Sequence, residues 1–381
     1  MAKSDWDVIV IGAGVLGTFH AYHSSQQGFR TLLLERTDVP RQASVRNFGM
    51  VIPSGMPNEL WLNRARESAS LYRQLATELS FPMQTGGTQY LATTATEEQV
   101  LREFAELGPK LGHVCQFLDA ESTRKSNPCI KPEACRASLH FSEDLRFDPR
   151  GFLRTFLQSL AKHELCTFQA NTVAIQAKRE GTGCVVTTAD GTRTGAEHVF
   201  VCTGSDFGTL FPQRFAVSGL IRCKLLMART KPQTSLRLNN SLASGLSIRR
   251  YPSFRQCPSW PKLAAEAVHP ELTDRGIHIL FAQDNDGRIV LGDSHEYIST
   301  GDFDETLDGT TEALILNEAK RLVHLEDWTL AERWHGVYCL HPDRELYHET
   351  IDERIHIVTG IGSKGMTSSP GLAREMIANL K

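Results

Sequence analysis

Three glycines, one acid and a scatter of arginines are the residues of this 381-residue chain best suited to chemistry. Gly12, Gly14 and Gly17 end the run Trp6-Asp-Val-Ile-Val-Ile-Gly-Ala-Gly-Val-Leu-Gly, and Glu35 closes the next apolar run, Arg30-Thr-Leu-Leu-Leu-Glu, 18 residues after Gly17. Gly12 permits a tight turn. Gly14 offers bare backbone to a pyrophosphate, and Gly17 lets a helix pack closely on a strand. The Glu35 carboxylate can accept hydrogen bonds from ribose hydroxyls and would repel a 2′-phosphate. These residues read as a site for a dinucleotide of the unphosphorylated kind.

Such residues work only on the right elements. Val8 to Ile11 form a short β-branched run, as expected of a strand buried on both faces. A helix over roughly 15–27 would aim its free N–H groups and positive dipole end at the phosphates, and Gly28 would end it. The full strand–glycine turn–helix–strand–acid context makes the motif specific. The end of the chain repeats this physics. Arg354-Ile-His-Ile-Val-Thr reads as a strand, glycines follow at 360, 362 and 365, and a helix is expected to begin near Ser368 with Pro370 in its first turn. A second helix N-terminus so far from the first suits an extended flavin dinucleotide better than a simple nicotinamide cofactor.

Between these ends, residues 37–54 form a loop rich in Arg, Asn and Gly, a composition common in ligand-binding loops. Helices are expected over 59–78, 96–108, 147–163 and 310–325. Leu60, Leu71 and Leu75 are among the apolar positions of the first. Asp190-Gly191 and Asp286-Gly287 signal hairpins, and His198-Val-Phe-Val-Cys-Thr-Gly a buried strand. Short alternating runs from 216 to 300 suggest a mixed or antiparallel sheet. The fold class is therefore α/β (α+β overall): a Rossmann-like dinucleotide-binding domain with a second, mixed or antiparallel-sheet substrate domain. Length favours more than one domain. The first is expected over 1–85, 140–215 and 330–381, the second over 86–139 and 216–329.

Composition excludes several classes. Formal net charge is −3, so no global field favours nucleic acid or an anionic membrane. No run of 18 apolar residues exists to span a bilayer. The first strand starts within a few residues of Met1, which leaves no room for a signal peptide and sets the expectation of a cytoplasmic protein. Nine cysteines, with no CxxC and no Cys/His set at zinc spacing, read as free thiols in a reducing compartment, and no metal site is read. Oligomeric state is not legible.

The chain resembles the D-amino acid oxidase family of FAD-dependent amine oxidases, which includes glycine oxidase and monomeric sarcosine oxidase. Four blocks carry the resemblance in order. They are Gly12 to Gly17 with Glu35; Ala43-Ser-Val-Arg-Asn-Phe-Gly; Val201-Cys-Thr-Gly-Ser; and Trp334-His-Gly-Val-Tyr…Pro342-Asp…Gly360 to Thr367. The Ser-Val-Arg-Asn-Phe-Gly-Met-Val wording also resembles a bacterial clade associated with phosphonate breakdown. Carried over by position, the resemblance implies that Gly12, Gly14, Val15, Leu16 and Gly17 contact the diphosphate. It places Glu35 and Arg36 at the adenosine ribose, Val173 at the adenine, and Thr203 and Gly204 near the diphosphate. Ser44, Arg46, Asn47, Phe48 and Gly49 would run beside the pyrophosphate, ribityl chain and flavin ring. Gly362, Lys364, Gly365, Met366 and Thr367 would line the ribityl chain and the pyrimidine end of the flavin. The family's covalent cysteine position is Gly336 here, three residues before Cys339, so the FAD is expected to be noncovalent.

The implied reaction is oxidation of the C–N bond of a small amine to an imine that hydrolyses, with O2 reduced to hydrogen peroxide. The favoured substrate is 2-aminoethylphosphonate or its N-methyl derivative. The alternatives are a carboxylate substrate (glycine, sarcosine or a D-amino acid) or an FAD dehydrogenase that passes electrons to a carrier. Candidate groups for the acidic tail are Arg46, Arg249, Arg250, Tyr251, His335 and Tyr338, with Arg255 nearby, since planar guanidinium forks suit carboxylate and phosphonate. Lys224 is a candidate for oxygen activation. His295-Glu296 reads as a solvated strand end rather than an acid/base pair.

Overall fold

A computed structural model describes residues 5–299, 301, 303, 304 and 306–380. Trp6–Ile11 lies at the centre of the first sheet, parallel to Thr31–Leu34 on one side and Arg193–Val201 on the other. Cys166–Gln169 extends the sheet beyond Thr31–Leu34, and Ile355–Thr359 lies parallel to the end of Arg193–Val201. The alternation of the first strand explains its double burial. Val8 and Val10 pack on helices Val15–Gln26 and Pro149–Leu160. Ile9 and Ile11 face a layer that includes the antiparallel strands Ala174–Glu180 and Gly183–Thr188. Each such fully buried side chain contributes about 1.5–3 kcal/mol. The Asp190-Gly191 turn joins Gly183–Thr188 to Arg193–Val201.

The second sheet has nine strands and is mostly antiparallel, as the short alternating runs predicted. Ile221–Pro232 is its spine, paired with Arg288–Gly292 and Glu296–Ile298 on one side and with Leu330–Leu340 along nearly its whole length on the other. Residues 330–340 therefore belong to this sheet, although the sequence reading grouped them with the dinucleotide-binding domain. Ala137–Phe141, at the 140 boundary, is likewise a strand of the second sheet. The hairpin at Asp286-Gly287 joins Leu280–Gln283 to Arg288–Gly292.

Two helical expectations need correction. In Glu59–Glu78, capped where Asn58 accepts from the Trp61 N–H, the buried face is Trp61, Leu62, Ala65, Ala69, Tyr72 and Leu75, while Leu60 is exposed. The terminal helix begins at Gly365, not near Ser368, so Pro370 sits inside it. The proline leaves the Met366 carbonyl without its i+4 donor, and the Tyr72 hydroxyl donates to that carbonyl instead at 2.9 Å. The two helices are thereby locked at the place where they pass the glycine loop.

Candidate active site

A single cavity of about 520 Å³ runs from the tip of Thr31–Leu34 past both glycine loops to the face of the second sheet. At one end the wall is largely backbone. Gly12 has φ +100°, and a Cβ there would meet the Cys202 carbonyl oxygen at 2.5 Å. A Cβ at Gly17 would lie 1.9 Å from the Gly12 oxygen. Gly17 is thus a packing glycine behind the wall and does not line the cavity, contrary to its implied diphosphate contact. The helix start at Gly14 has no side-chain cap of its own, and Ser44 Oγ receives the Val15 N–H from across the cavity at 2.9 Å. Glu35 accepts from the Ala13 N–H at 2.9 Å through one oxygen and from the Thr37 hydroxyl at 2.7 Å through the other. It braces the turn as well as facing the ribose position.

Of the other residues assigned to the cofactor, Val15, Leu16, Arg36, Arg46, Asn47, Phe48, Val173, Thr203, Gly204, Gly362, Gly365, Met366 and Thr367 line the cavity. Gly49 and Lys364 do not. Gly49 has φ +70° and packs on the Phe147 carbonyl. Lys364 pairs with Glu345 at 2.7 Å and lies over the Trp61 ring. Arg36 is held by Asp206 at 2.8 Å. A helix start with no cap from its own first residue, a glycine cradle with no room for a side chain, and a carboxylate at the strand tip fit the diphosphate and ribose of FAD. The second glycine loop continues that path for the rest of the cofactor.

At the other end the wall is made of side chains from separated elements. Arg250 and Tyr251 close the short helix Gly245–Arg250. His278 precedes Leu280–Gln283, Asp293 and His295 follow Arg288–Gly292, and Tyr338 comes from Leu330–Leu340. Leu225, Met227 and Leu280 supply apolar wall beside them. Arg250 donates to the Tyr297 hydroxyl at 3.2 Å. Burial pushes the Tyr251 and Tyr338 phenols upward, so both keep their protons as donors. Burial pushes His295 down to about 3 and lowers His278 against the pull of Asp293, so both imidazoles are neutral. Burial opposes the charge on Asp293, yet its pKa lies below the usual carboxylate range, with His295, His278 and the Arg250 guanidinium around it.

Several sequence candidates lie elsewhere. Arg249 is turned to the Leu263 carbonyl and the Glu266 carboxylate, because consecutive helical residues point about 100° apart. Arg255 is exposed over the Trp260 ring. Arg46 reaches the cavity edge, but its guanidinium is spent on the carbonyls of Arg41 and His335. His335 and Lys224 are outside the cavity wall, and Lys224 pairs with Glu296 at 2.7 Å and donates to the Asp304 carbonyl. The expectation of a solvated end at His295-Glu296 fails for His295, which is 4% exposed.

His278 and Asp293 were missed altogether. The hairpin at Asp286-Gly287 would place His278 opposite Ser294 by the register of its strands, but the pairing shifts by one residue beyond Gly292, so that His278 and Asp293 exchange both backbone hydrogen bonds. Among the described residues, His278, Asp293 and His295 form the one set whose ligand atoms converge as those of a metal site would. Cys339 is buried in the wall, donating to the Gly204 carbonyl at 3.2 Å and lying 3.0 Å from Thr359 Oγ1. Burial raises its pKa, which keeps the thiol protonated and a poor nucleophile toward a flavin.

A Rossmann-type dinucleotide cradle joined by one cavity to the face of a large antiparallel sheet defines the class of two-sheet flavin-dependent oxidoreductases. The chain belongs to the FAD dependent oxidoreductase (DAO) family, whose model matches residues 7–379. FAD is its cofactor. Glycine oxidase of Bacillus licheniformis is 24% identical over 99% of this chain and 93% of its own length. Glycine oxidase of Geobacillus kaustophilus has the same fold, with a TM-score of 0.79 at 18% identity over 99% of this chain and 95% of that one. L-α-glycerophosphate oxidase of Mycoplasma pneumoniae, solved with FAD bound, aligns at a TM-score of 0.77 with 17% identity over 99% and 95% of the two chains respectively. No helix among the described residues is long and apolar enough to cross a membrane.

Proposed function

We propose that this chain oxidises the C–N bond of a small amine bearing an acidic tail, with 2-aminoethylphosphonate or its N-methyl derivative favoured and O2 as the electron acceptor. The observation that carries the reading is the amine end of the cavity, where the Arg250 guanidinium, two protonated phenols and two imidazoles, with the Asp293 carboxylate among them, surround one apolar-walled space. A planar carboxylate is satisfied by one guanidinium fork. A tetrahedral phosphonate has three oxygens pointing in different directions and takes donors from several elements. Arg250 would hold the tail, and Tyr251 and Tyr338 would orient it. Leu225, Met227 and Leu280 would keep water from the carbon being oxidised. FAD, when bound, supplies the two-electron acceptor that no side chain can provide.

The full-length similarity to a glycine oxidase favours a second reading, a carboxylate amine such as glycine or sarcosine. A panel of glycine, sarcosine, D-alanine, 2-aminoethylphosphonate and its N-methyl form separates the two. Flavin bleaching is followed without oxygen, then peroxide release with it. Turnover of the aminophosphonates at the highest kcat/KM is the expected result, and turnover of carboxylates alone would sink the favoured substrate. Bleaching without oxygen consumption would make the enzyme a dehydrogenase.

A further inference from the structure

We propose that His278, Asp293 and His295 bind one divalent first-row metal ion at the amine end of the cavity, with an open coordination position facing the substrate space. The three side chains are 3%, 5% and 4% exposed and all reach the cavity. Their ligand atoms lie within 4.8 Å of one another. His278 Nε2 is 3.0 Å from one Asp293 oxygen, and His295 Nε2 is 3.9 Å from the other. A tetrahedral ion with bonds near 2.0–2.1 Å separates its ligands by about 3.4 Å, midway between those distances.

The second ring nitrogen of each histidine is held from behind. His295 Nδ1 is 2.9 Å from the Gly276 carbonyl and must donate to it, which leaves Nε2 as a lone pair. His278 Nδ1 is 2.9 Å from Ser247 Oγ. Both rings are therefore fixed from behind and turn Nε2 to Asp293, the outer-shell pattern of metal-ligating histidines. The reciprocal backbone bonds between His278 and Asp293 fix two of the three ligands relative to each other. Asp293 Oδ1 is buried and makes no hydrogen bond of ordinary geometry, with His278 Nε2 3.0 Å away. A cation supplies the partner this oxygen lacks. Two imidazoles and one carboxylate suit zinc, iron, cobalt or nickel, and three protein ligands leave room for a fourth from the cavity. The Arg250 charge nearby opposes a second cation and lowers the affinity; Asp293 is the carboxylate that offsets it.

The test does not depend on the proposed substrate. Untagged, FAD-loaded enzyme is dialysed against a chelator, incubated with zinc, gel-filtered and analysed for metal and flavin. About one zinc per chain is expected in the wild type. Asp293→Asn and His295→Gln are expected to cut retained zinc about tenfold or more, with FAD content unchanged. A wild type that retains no zinc overturns the proposal, as does zinc retained equally by the variants, which would mark adventitious surface binding. Should the variants lose FAD through misfolding, the zinc absorption edge of the wild type decides. Scattering from two imidazoles upholds the site, and its absence rejects it.

Discussion

The two ends of the cavity are built in opposite ways. The dinucleotide end is made of backbone: a turn at Gly12, a helix start at Gly14, and a second glycine loop at 360–367. Among its side chains, Glu35 and Ser44 brace the turn and the helix start. The amine end is made of side chains brought from four stretches between Arg250 and Tyr338, with Arg250, His278 and His295 held by Tyr297, Ser247 and Gly276. A backbone site recognises what every FAD has in common and admits almost no substitution. A side-chain site can be re-specified one residue at a time. Within one family the first end is expected to stay constant and the second to set the substrate.

The largest effect should come from breaking the backbone end. Gly12→Ala puts a Cβ 2.5 Å from the Cys202 oxygen at φ +100°. Strain and overpacking of about 3 kcal/mol or more should leave protein that retains no flavin by absorbance. At the other end, Arg250→Met should keep its flavin yet lose about a thousandfold in kcat/KM, the effect of removing a charge-paired anchor, with Arg250→Lys recovering part of it. If Arg250→Met also lost its flavin, the division between the two ends would be wrong.

The joint between the ends has its own signature. Ser54, at the end of the 37–54 loop, donates to Asp144 through its hydroxyl at 2.6 Å and its N–H at 3.1 Å, and its hydroxyl also meets Tyr90 of the second sheet. Burial raises Asp144 to about 7, against the pull of those donors. The folded state therefore holds a proton that the unfolded state releases near pH 4, so this contribution is full below pH 4 and is lost as pH rises to about 7. Thermal melts of Asp144→Asn should lack that decline. A parallel fall in variant and wild type would assign it elsewhere.

Smaller effects sharpen the amine end. Tyr338→Phe should lower kcat/KM about tenfold through the loss of one donor. Arg249→Met should leave kcat/KM within about twofold, because its guanidinium serves Leu263 and Glu266, and should lower stability by about 1–3 kcal/mol. A large loss of activity in Arg249→Met would return that residue to the substrate site.

The ease of reading each end in the sequence follows from this difference. Gly12, Gly14, Gly17 and Glu35 act through backbone geometry over one strand–turn–helix–strand unit, so their spacing along the chain is their spacing in space. The end of the chain was readable for the same reason, apart from the helix start: Tyr72, far away in sequence, supplies the hydrogen bond that lets Pro370 sit inside the helix. His278, Asp293 and Tyr338 have no such local pattern. Arg249 and Arg250 look alike in sequence, and only the helix they end on turns one to the cavity and the other to Glu266.

The sequence by itself determined the cofactor's cradle, the mixed α/β fold class and the family, because these rest on local periodicity and on where a Cβ cannot go. The tertiary structure alone decided which arginine of the Arg249/Arg250 pair lines the cavity and that two histidines and an aspartate share one buried point. Arg250 and Tyr338 reach the cavity from elements far apart in the chain, and the His278–Asp293 pairing is shifted by one residue from its own hairpin's register, because register is set by the sheet rather than by neighbouring residues.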